Sequence, residues 1–260
     1  MATAVQWIEV EGHQLKVTNP DKILWPHQGI TKLDYLQHLV RLSPYLLPYC
    51  RDRYLTTIRY PHGPGGESFY QKNCPPSAPP FVRTAKLEQV NYVVLDSIPT
   101  LMWLGNLACL EFHPSFHKVD SDLPVEWIID LDPSVYDPAR TTEAANYVGE
   151  TLRSMQIDSI PKTSGATGIQ IVVPIRSGYT FEELRAIGHF VANYLTERYP
   201  QLFTTERLKK DRGNKVYFDY LQHWRGKTLS APYTPRAREH APVSTPLLWE
   251  ELASPVHPEN

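Results

Sequence analysis

The sequence predicts a mixed α/β (α+β) fold, because short segments rich in β-branched and aromatic residues interleave with segments of helical periodicity. Capping signatures mark two helix starts. Thr31 with Asp34 precedes a periodic apolar stretch, and Thr180 with Glu183 precedes a helix that we expect to end near Arg198. Strands and capped helices that alternate in this way are typical of the class.

The remaining elements follow from the same patterns. A third helix is predicted from about Thr142 to Met155. Strands are predicted at five short runs of β-branched or aromatic residues, namely Tyr54–Arg59, Tyr92–Leu95, Glu126–Leu131, Ile169–Ile175 and Lys215–Leu221. The densest proline group, Cys74–Pro80, predicts an extended surface loop between two lobes.

Composition narrows the class of protein. The chain has 260 residues, enough for one large domain or two small lobes. A hydrophobic content of 42% excludes disorder as the general state. The formal net charge of −2 excludes a uniformly basic coat for nucleic acid, so local clusters of charge must indicate any partner.

The cysteines and the N-terminal segment predict a soluble, cytoplasmic protein. Cys50, Cys74 and Cys109 form no CxxC unit, and their odd number indicates free thiols in a reducing compartment. Cys109 and His113 have a spacing that suits a metal on a helix, but one such pair is weak evidence. Residues 1–17 lack a signal-peptide pattern, and no run reaches the roughly 18 apolar residues of a membrane span.

The segment Trp127–Pro133 places two aspartates on a predicted strand. Because side chains on a strand alternate between its faces, Asp130 and Asp132 project to the same side. Two like charges this close repel each other unless a cation lies between them, and a hard divalent ion with oxygen ligands is the natural remedy. A solvated strand end explains a lone DxD motif equally well, so this motif by itself does not decide.

A third carboxylate, Asp219, falls within the predicted strand Lys215–Leu221 among aromatic and aliphatic residues. Because a buried, unpaired carboxylate is costly, Asp219 either faces water or joins a charged site. Three carboxylates from two strands can hold two metal ions about 3.5–4 Å apart, which suits phosphoryl transfer. Asp120 and Asp122 share the DxD spacing but lie in a loop-like stretch, and we interpret them as solvated.

Three further segments could bind phosphates or bases. Pro161–Gly168 either offers backbone N–H groups to phosphate or forms a tight turn, and it lacks the ending of a P-loop. Arg207–Lys215 has five basic residues against one acidic residue; such a run is usually a solvated face, but this one leads into the Asp219 strand. Phe69 and Tyr70 either stack on bases or divide between core and surface.

Together these segments resemble a known family. Over nearly its whole length the chain is similar to the polymerase domain of bacterial ligase D, the repair polymerase of non-homologous end joining in the archaeo-eukaryotic primase superfamily. The blocks that carry the resemblance are Gly29–Lys32, Gly66–Lys72, Leu110–Pro114, Asp130–Pro133, Lys162–Gly165, Phe218–Gln222, Gly226–Thr228 and Ala231–Tyr233.

The resemblance implies a fold and a division of the chain. The fold would be a primase-like catalytic core, in which an RRM-like sheet and a second α/β subdomain pack around a shared cleft. Residues 1–260 would form one primase-polymerase domain. Its DNA-end-binding part would cover about residues 1–120, and its metal- and nucleotide-binding core about residues 121–250.

The resemblance also implies roles for single residues. The catalytic and metal-binding carboxylates, which would hold two Mn²⁺ (or Mg²⁺) ions, would be Asp130, Asp132 and Asp219. The contacts to the incoming nucleotide would be His113, Lys162, Ser164, Gly165, Thr167, Arg212, Gln222, Lys227 and Arg236. Lys22 and Lys32 match a pair that grips the 5′-phosphate of a downstream DNA strand. Phe69 and Tyr70 match an aromatic pair that stacks against the template.

One loop departs from the family pattern. After Ser164 and Gly165 the family commonly reads Lys-Gly-Leu-His, whereas this chain reads Thr167-Gly-Ile-Gln170. Exchange of an ammonium group for a hydroxyl predicts a loss of nucleotide affinity of about 1–3 kcal/mol, the range for a charged hydrogen bond. Lys162 or Lys227 could offset that loss.

The function that follows is template-directed nucleotidyl transfer. The chain would extend primer 3′-ends at gaps and double-strand breaks, with a preference for ribonucleotides. Its partners would be DNA carrying a 5′-phosphate and a nucleoside or deoxynucleoside triphosphate, while the family adds Ku and a DNA ligase domain or protein as candidates. The alternative is a DNA-end or 5′-phosphate-binding module with weakened catalysis; retention of all three carboxylates favours the enzyme.

Overall fold

The computed structural model describes residues 4–259, so the first three residues of the N-terminal segment and the last residue lie outside it. The backbone divides into two compact units. The first comprises the described residues up to Ser115 together with Thr228–Val243, and the second comprises Phe116–Lys227 together with the described residues from Ser244 onward. A single boundary near residue 120 was the expectation, whereas the chain returns to the first unit at Thr228.

The N-terminal part of the chain combines two helices with short strands. The strands are β1 (Val5–Val10), β2 (His13–Thr18), β3 (Ile23–Trp25), β4 (Ile30–Thr31), β5 (Arg53–Arg59), β6 (Phe69–Gln71), β7 (Thr84–Leu87), β8 (Val90–Val93) and β9 (Cys109–Lys118). The helices are α1 (Lys32–Cys50) and α2 (Ile98–Asn106). β1 pairs with β2 and β3 with β4, while the larger sheet has the order β6-β5-β8-β7, with β9 also paired to β5.

The start of α1 lies where the capping signature predicts it. The Asp34 N–H donates to the Thr31 hydroxyl at 3.2 Å, and the Thr31 N–H donates to the Asp34 carboxylate at 3.0 Å. This reciprocal pair satisfies donors that every helix start leaves without a partner. By contrast, α2 was not predicted. Pro99–Gly105 are all buried, so this short helix has no polar face and no amphipathic period to read.

The second unit is built on one sheet. Its elements are β10 (Glu126–Pro133), α3 (Pro138–Ser154), β11 (Ile160–Thr163), β12 (Ile169–Pro174), α4 (Phe181–Arg198), β13 (Phe203–Thr204) and β14 (Val216–Phe218). The strand order is β11-β12-β10-β14-β13, and the neighbours are antiparallel except for the parallel pair β13 and β14.

Alternation along β10 separates the core of the second unit from its polar face. Trp127, Ile129 and Leu131 are buried in one hydrophobic cluster with residues of α3 and α4 such as Val148 and Val191. Because successive side chains point to opposite faces, the intervening residues lie on the other side of the sheet. The helices therefore cover one face, and the aspartates of β10 occupy the other.

Most predicted elements are confirmed, with two changes of boundary. The helix expected from Thr142 begins at Pro138, because the Asp137 carboxylate accepts from the Arg140 N–H at 3.0 Å and caps it there. The strand expected over Lys215–Leu221 covers only Val216–Phe218, because the chain turns at the next residue. The other four strands and the helix ending at Arg198 lie within two residues of their predicted bounds.

Three smaller predictions have different outcomes. Cys50, Cys74 and Cys109 are free thiols, as predicted. The loop Cys74–Pro80 lies inside the first unit and does not connect two lobes. Cys109 and His113 lie on strand β9, so the helical spacing considered for a metal does not exist. None of the described helices combines the length and apolar character needed to cross a membrane.

A buried histidine stands out in the second unit. His223 is 1% exposed, and its ring lies 4.6 Å from that of Phe116 and 5.2 Å from that of Phe181, centroid to centroid. Neither ring nitrogen has a hydrogen-bond partner among the described residues. Burial lowers the pKa of His223 to about 3, and the positive charge of Arg185 acts in the same direction.

We therefore predict that His223 weakens the fold in mild acid. Between about pH 6.5 and pH 3 the unfolded chain binds a proton at this ring and the folded chain does not, so the free energy of unfolding falls as the pH falls, by at most about 1.4 kcal/mol per pH unit. Replacement His223→Leu should remove this slope. Urea unfolding at pH 7, 5.5 and 4.5 tests it, with exposed His240→Leu as the control. Equal slopes in wild type and His223→Leu would contradict the prediction.

Candidate active site

A row of polar side chains crosses the sheet of the second unit on the face opposite its core. Lys162 of β11 lies directly opposite Gln170 of β12, which lies directly opposite Asp130 of β10. Residues opposed in this way point to the same face. Lys162 Nζ donates to Gln170 Oε1, and Gln170 Nε2 donates to Asp130 Oδ1 at 3.1 Å. All three side chains are buried.

Two further carboxylates lie beside this row. Asp219 follows β14 directly, and its N–H donates to the backbone oxygen of Asp130 at 2.9 Å. Asp132 lies opposite Tyr217, whose hydroxyl donates to Asp219 Oδ1 at 3.1 Å. The Leu221 N–H donates to the same oxygen at 3.0 Å and closes the turn that ends β14. The register of two strand pairs thus brings three carboxylates together.

The positive charge near Asp130 and Asp132 does not offset their burial and mutual repulsion. Burial, and after it repulsion from Asp132, holds the pKa of Asp130 well above its usual range, although Gln170 and Lys162 act against this rise. Burial and repulsion from Asp219 also raise the pKa of Asp132, while Arg212 and Lys209 lower it. Hard oxygen donors that repel one another in this way are chemically suited to divalent cations.

The side chains of the three aspartates do not point toward one common centre, as the ligands of a bound metal ion would. Across residues 4–259, no three His, Cys, Asp or Glu side chains are gathered as a metal site would gather them. The hydrogen bonds show why, because Asp130 is turned toward Gln170 and Asp219 toward Tyr217. An aspartate side chain can reorient by rotation about its own bonds, whereas the strand register is held by the backbone.

The loop after β11 packs against Asp132. Ser164 Oγ accepts from the N–H groups of Ala166 at 3.1 Å and Gly168 at 3.0 Å, so these two groups serve the tight turn. A Cβ atom at Gly168 would lie 2.4 Å from the Leu131 oxygen and 3.3 Å from Asp132 Oδ1. The turn also uses a positive φ of 66° at residue 165, which glycine supplies. Residue 167 is the only one over 163–168 that is not fully buried.

Arg212 is anchored beside the carboxylates. Its Nε donates to the backbone oxygen of Glu206 at 2.8 Å and its Nη2 to the backbone oxygen of Arg207 at 2.7 Å. The guanidinium carbon lies 3.8 Å from the centre of the Tyr217 ring. Since Tyr217 in turn binds Asp219, one contact series links the basic run to the acidic residues. Lys209 belongs to the basic run singled out in the sequence, whereas Tyr217 was not singled out, although it stands two positions before Asp219.

The residues after Asp219 remain close to it. The Gln222 N–H donates to the backbone oxygen of Asp219 at 3.3 Å, and Lys227 Nζ donates to the backbone oxygen of Leu221 at 2.8 Å. Asp122, in the other DxD motif, is exposed and forms a surface ion pair with Arg225 at 2.7 Å. The interpretation of that motif as a solvated loop is therefore confirmed.

In the first unit, His113 and Arg236 meet at a buried carboxylate. Glu111 Oε2 lies 2.9 Å from His113 Nε2 and 3.0 Å from Arg236 Nε. Burial alone would raise the pKa of Glu111, but the His113 hydrogen bond and the Arg236 charge lower it to about 2. Glu111 was missed in the sequence, although it stands two residues before His113 on β9 and therefore shares its face.

Lys22 and Lys32 form a crowded pair of cations in the first unit. Lys32 Nζ donates to the Thr18 oxygen at 2.6 Å and the Asn106 oxygen at 3.1 Å, while Lys22 Nζ donates to the Pro61 oxygen at 2.5 Å. Burial lowers the pKa of Lys32 to about 8, and repulsion from Lys22 adds to the effect. A dianionic phosphate would relieve that repulsion.

Phe69 and Tyr70 are both on the surface. They lie on β6, an edge strand, with 44% and 72% of their surface exposed. The Arg59 guanidinium carbon lies 5.1 Å from the centre of the Phe69 ring. The arrangement with one ring in the core is therefore excluded, and both rings are accessible for stacking.

Comparison with known proteins decides the family. The description "LigD, primase-polymerase domain" belongs to a family model that matches residues 31–260. This chain belongs to that family. The LigD primase-polymerase resemblance inferred from the sequence blocks is thereby confirmed.

Relatives of this LigD primase-polymerase chain carry the LigD name as well. A bifunctional non-homologous end joining protein LigD of Bacillus subtilis is 43% identical over 247 residues, which are 94% of this chain and 40% of that protein. A multifunctional non-homologous end joining protein LigD of Mycolicibacterium smegmatis is 30% identical over 250 residues, 93% of this chain and 33% of that protein. The chain thus spans well under half the length of these relatives.

A solved structure confirms the mixed α/β, primase-like fold of the LigD primase-polymerase chain. It is the polymerase domain from Mycobacterium tuberculosis ligase D in complex with DNA, at 29% sequence identity and a TM-score of 0.87. The match covers 93% of this chain and 89% of that one. The roles of single residues in binding metal, nucleotide and DNA stay predictions.

The departure from the LigD pattern at Gln170 now has a structural role. Its amide accepts from Lys162 and donates to Asp130, so it joins a buried cation to a buried carboxylate. Lys162 is thereby buried and bound to Gln170. Compensation by Lys162 for the missing lysine at position 167 stays a prediction.

We predict that Gln170→Leu loosens this face of the sheet. The change deprives Lys162 and Asp130 of a shared partner, and an unmet buried charged hydrogen bond costs about 1.5–3 kcal/mol. Urea unfolding should show a loss of that size, and Mn²⁺ titration by electron paramagnetic resonance should show weaker binding. Exposed Gln37→Leu is the matched control. Unfolding and Mn²⁺ binding as in wild type would refute the role of Gln170.

We also predict that preference for a 5′-phosphate falls with rising pH. Lys32 has a pKa of about 8, so it is mainly charged at pH 7 and mainly neutral at pH 9, while the phosphate stays dianionic. The affinity ratio for gapped DNA with and without a 5′-phosphate should drop roughly tenfold, one charged hydrogen bond's worth. Fluorescence anisotropy at fixed salt measures it. Lys32→Met should have a low ratio at both pH values; a constant high ratio in wild type would oppose the assignment.

Proposed function

We propose that this chain extends primer 3′-ends at DNA gaps and double-strand breaks by template-directed nucleotidyl transfer, as the polymerase part of a non-homologous end joining system. One observation carries the proposal: Asp130 and Asp132 share one face of a sheet beside Asp219, and burial together with mutual repulsion raises the pKa of both. The names of the relatives support the repair setting, and the DNA complex of the similar domain supports a DNA substrate.

The three aspartates are the groups that would hold two divalent ions, Mn²⁺ or Mg²⁺. When bound, such ions activate a primer hydroxyl and offset the charge of departing pyrophosphate. The chain itself contributes position and electrostatics. Arg212 and Lys209 place positive charge beside Asp132, where a polyphosphate would need it.

The remaining nucleotide contacts would come from two loops of the second unit and from one pair of side chains in the first unit. Thr167 is the accessible residue of the loop that packs on Asp132, and its hydroxyl can donate to a phosphate oxygen. Gln222 and Lys227 follow Asp219 closely. In the first unit, His113 and Arg236 offer a pair of donors held by one carboxylate.

The first unit would also bind the DNA. The adjacent ammonium groups of Lys22 and Lys32 suit the 5′-phosphate of a downstream strand, because two cations that repel each other gain from a shared anion. The exposed rings of Phe69 and Tyr70 suit a template base. Ku and a DNA ligase domain or protein would be further partners, and ribonucleotides the preferred substrates.

A second candidate is a DNA-end-binding module with weakened catalysis. The observation that favours it is Thr167 at a position where the family commonly has a lysine. The two candidates differ in one measurable property. The enzyme incorporates nucleotides, whereas the module binds a phosphorylated gap without incorporation.

We predict incorporation that depends on Asp132. Wild-type protein should extend a primer on gapped, 5′-phosphorylated DNA with Mn²⁺, and with ribonucleotides more efficiently than with deoxynucleotides. Asp132→Asn should lower kcat/KM at least on the order of 100-fold, the scale for loss of one electrostatic element at a reacting phosphate. Asp122→Asn makes the same change in the exposed DxD motif and should have no effect.

Gel-resolved extension measures both outcomes. Binding of the phosphorylated gap without incorporation by wild type would establish the binding module instead. Equal incorporation by Asp132→Asn and wild type would remove the aspartates from the mechanism.

A further inference from the structure

Glu111 is a buried carboxylate to which no part of the proposed chemistry gives a task. It is 3% exposed and belongs to β9. Its Oε2 faces His113 Nε2 at 2.9 Å and Arg236 Nε at 3.0 Å. Its Oε1 accepts from the Ala237 N–H at 3.1 Å and the Tyr60 hydroxyl at 3.4 Å. Three separate stretches of the first unit therefore meet at one carboxylate.

The Glu111 carboxylate is charged in neutral solution. A buried carboxylate is tolerated only when donors or opposite charge surround it. Here three groups donate hydrogen bonds, from His113, Ala237 and Tyr60, and Arg236 adds an ion pair. Its contacts with His113 and Arg236 overcome the effect of burial and lower its pKa to about 2. Glu111 is therefore unsuited to accept a proton in neutral solution, and general base chemistry is excluded as its task.

The contacts of Glu111 determine how its two partners are presented. A carboxylate accepts hydrogen bonds and donates none, so the His113 nitrogen that faces it, Nε2, carries a hydrogen. Arg236 Nε contacts the same oxygen in an ion pair and not in a hydrogen bond, so Glu111 holds the guanidinium group near by charge. The carboxylate charge also favours the doubly protonated ring of His113, whose Nδ1–H is then the donor left for a phosphate oxygen. Both partners are slightly exposed, with 12% and 14% of their side-chain surface accessible, whereas the Glu111 side chain has 4%.

We propose that Glu111 is a positioning residue for the nucleoside triphosphate: through one oxygen it holds the His113 ring by Nε2–H and the Arg236 guanidinium group by an ion pair, so that both are in place when the phosphates arrive. This proposal rests on the proposed function, which assigns His113 and Arg236 to the incoming nucleotide. Glu111 itself touches no phosphate. Its contribution is the ordering of two flexible side chains before the ligand arrives.

The alternative is that Glu111 only braces the first unit, by joining β9 to Tyr60 and Ala237. The two roles leave different kinetic signatures. A brace affects the fraction of folded protein and leaves KM of the folded enzyme unchanged. A positioning residue raises KM for the nucleotide while the chemical step keeps its rate.

Glu111→Gln separates these roles, because it keeps the shape and removes the charge. We expect KM for ATP in primer extension, and Kd for ATP with Mn²⁺ in the absence of DNA, to rise roughly tenfold, the equivalent of one charged hydrogen bond. kcat should stay within about threefold of wild type. Glu111→Asp keeps the charge and should recover part of the affinity. Exposed Glu143→Gln is the matched control and should behave as wild type.

A double substitution tests whether Glu111 acts through its partner. In an Arg236→Ala background, Glu111→Gln should raise KM less than it does in wild type, since residues that act together are not additive. Preference for a 5′-phosphate should be the same in wild type and Glu111→Gln, because Lys22 and Lys32 have no contact with Glu111 in the described structure.

The possible failures can be told apart. Absence of extension by wild type removes the proposed function itself. Normal extension by wild type with an unchanged KM and Kd in folded Glu111→Gln overturns the role of Glu111 alone. If Glu111→Gln does not fold, Glu111→Asp decides: KM raised at least threefold at constant kcat supports positioning, and KM equal to wild type overturns it.

Discussion

The register of β10 against its two neighbours is the constraint on which the candidate site depends. Asp130 faces Gln170 on one side, and Asp132 faces Tyr217 on the other. Because side chains alternate, a shift of one residue would turn both aspartates into the hydrophobic core and bring Ile129 and Leu131 onto the polar face. The apolar residues that pack on α3 and α4 therefore hold the acidic face in place, although none of them takes part in binding.

The molecule treats its buried carboxylates in two opposite ways. Glu111 is surrounded by donors, and its pKa is lowered to about 2. Asp130 is buried and Asp132 half-buried beside other carboxylates, and their pKa values are raised. A fold that can satisfy one buried carboxylate so fully has the means to satisfy others. This contrast supports the proposal that Asp130 and Asp132 bind cations.

The sequence predicted what depends on local patterns. The caps at Thr31 and Thr180 and the alternation around Asp130 are local, and the structure has them where they were expected. What it did not predict depends on distant contacts. The buried helix α2 has no polar face, and the task of Glu111 is apparent only when Arg236, more than a hundred residues away, packs beside it. Gln170 was noticed as a departure, but its link to Lys162 required the pairing of two strands.

The close approach of Gly168 to the backbone of Leu131 restricts which residues this loop can contain. The space beside the Leu131 oxygen and Asp132 is too small for even one methyl group. Evolution and protein engineering are therefore free to exchange the exposed side chain at position 167, and with it the charge offered to a ligand, only while the next residue stays glycine. Position 167 can therefore vary, whereas position 168 has no space for a Cβ atom and must remain glycine.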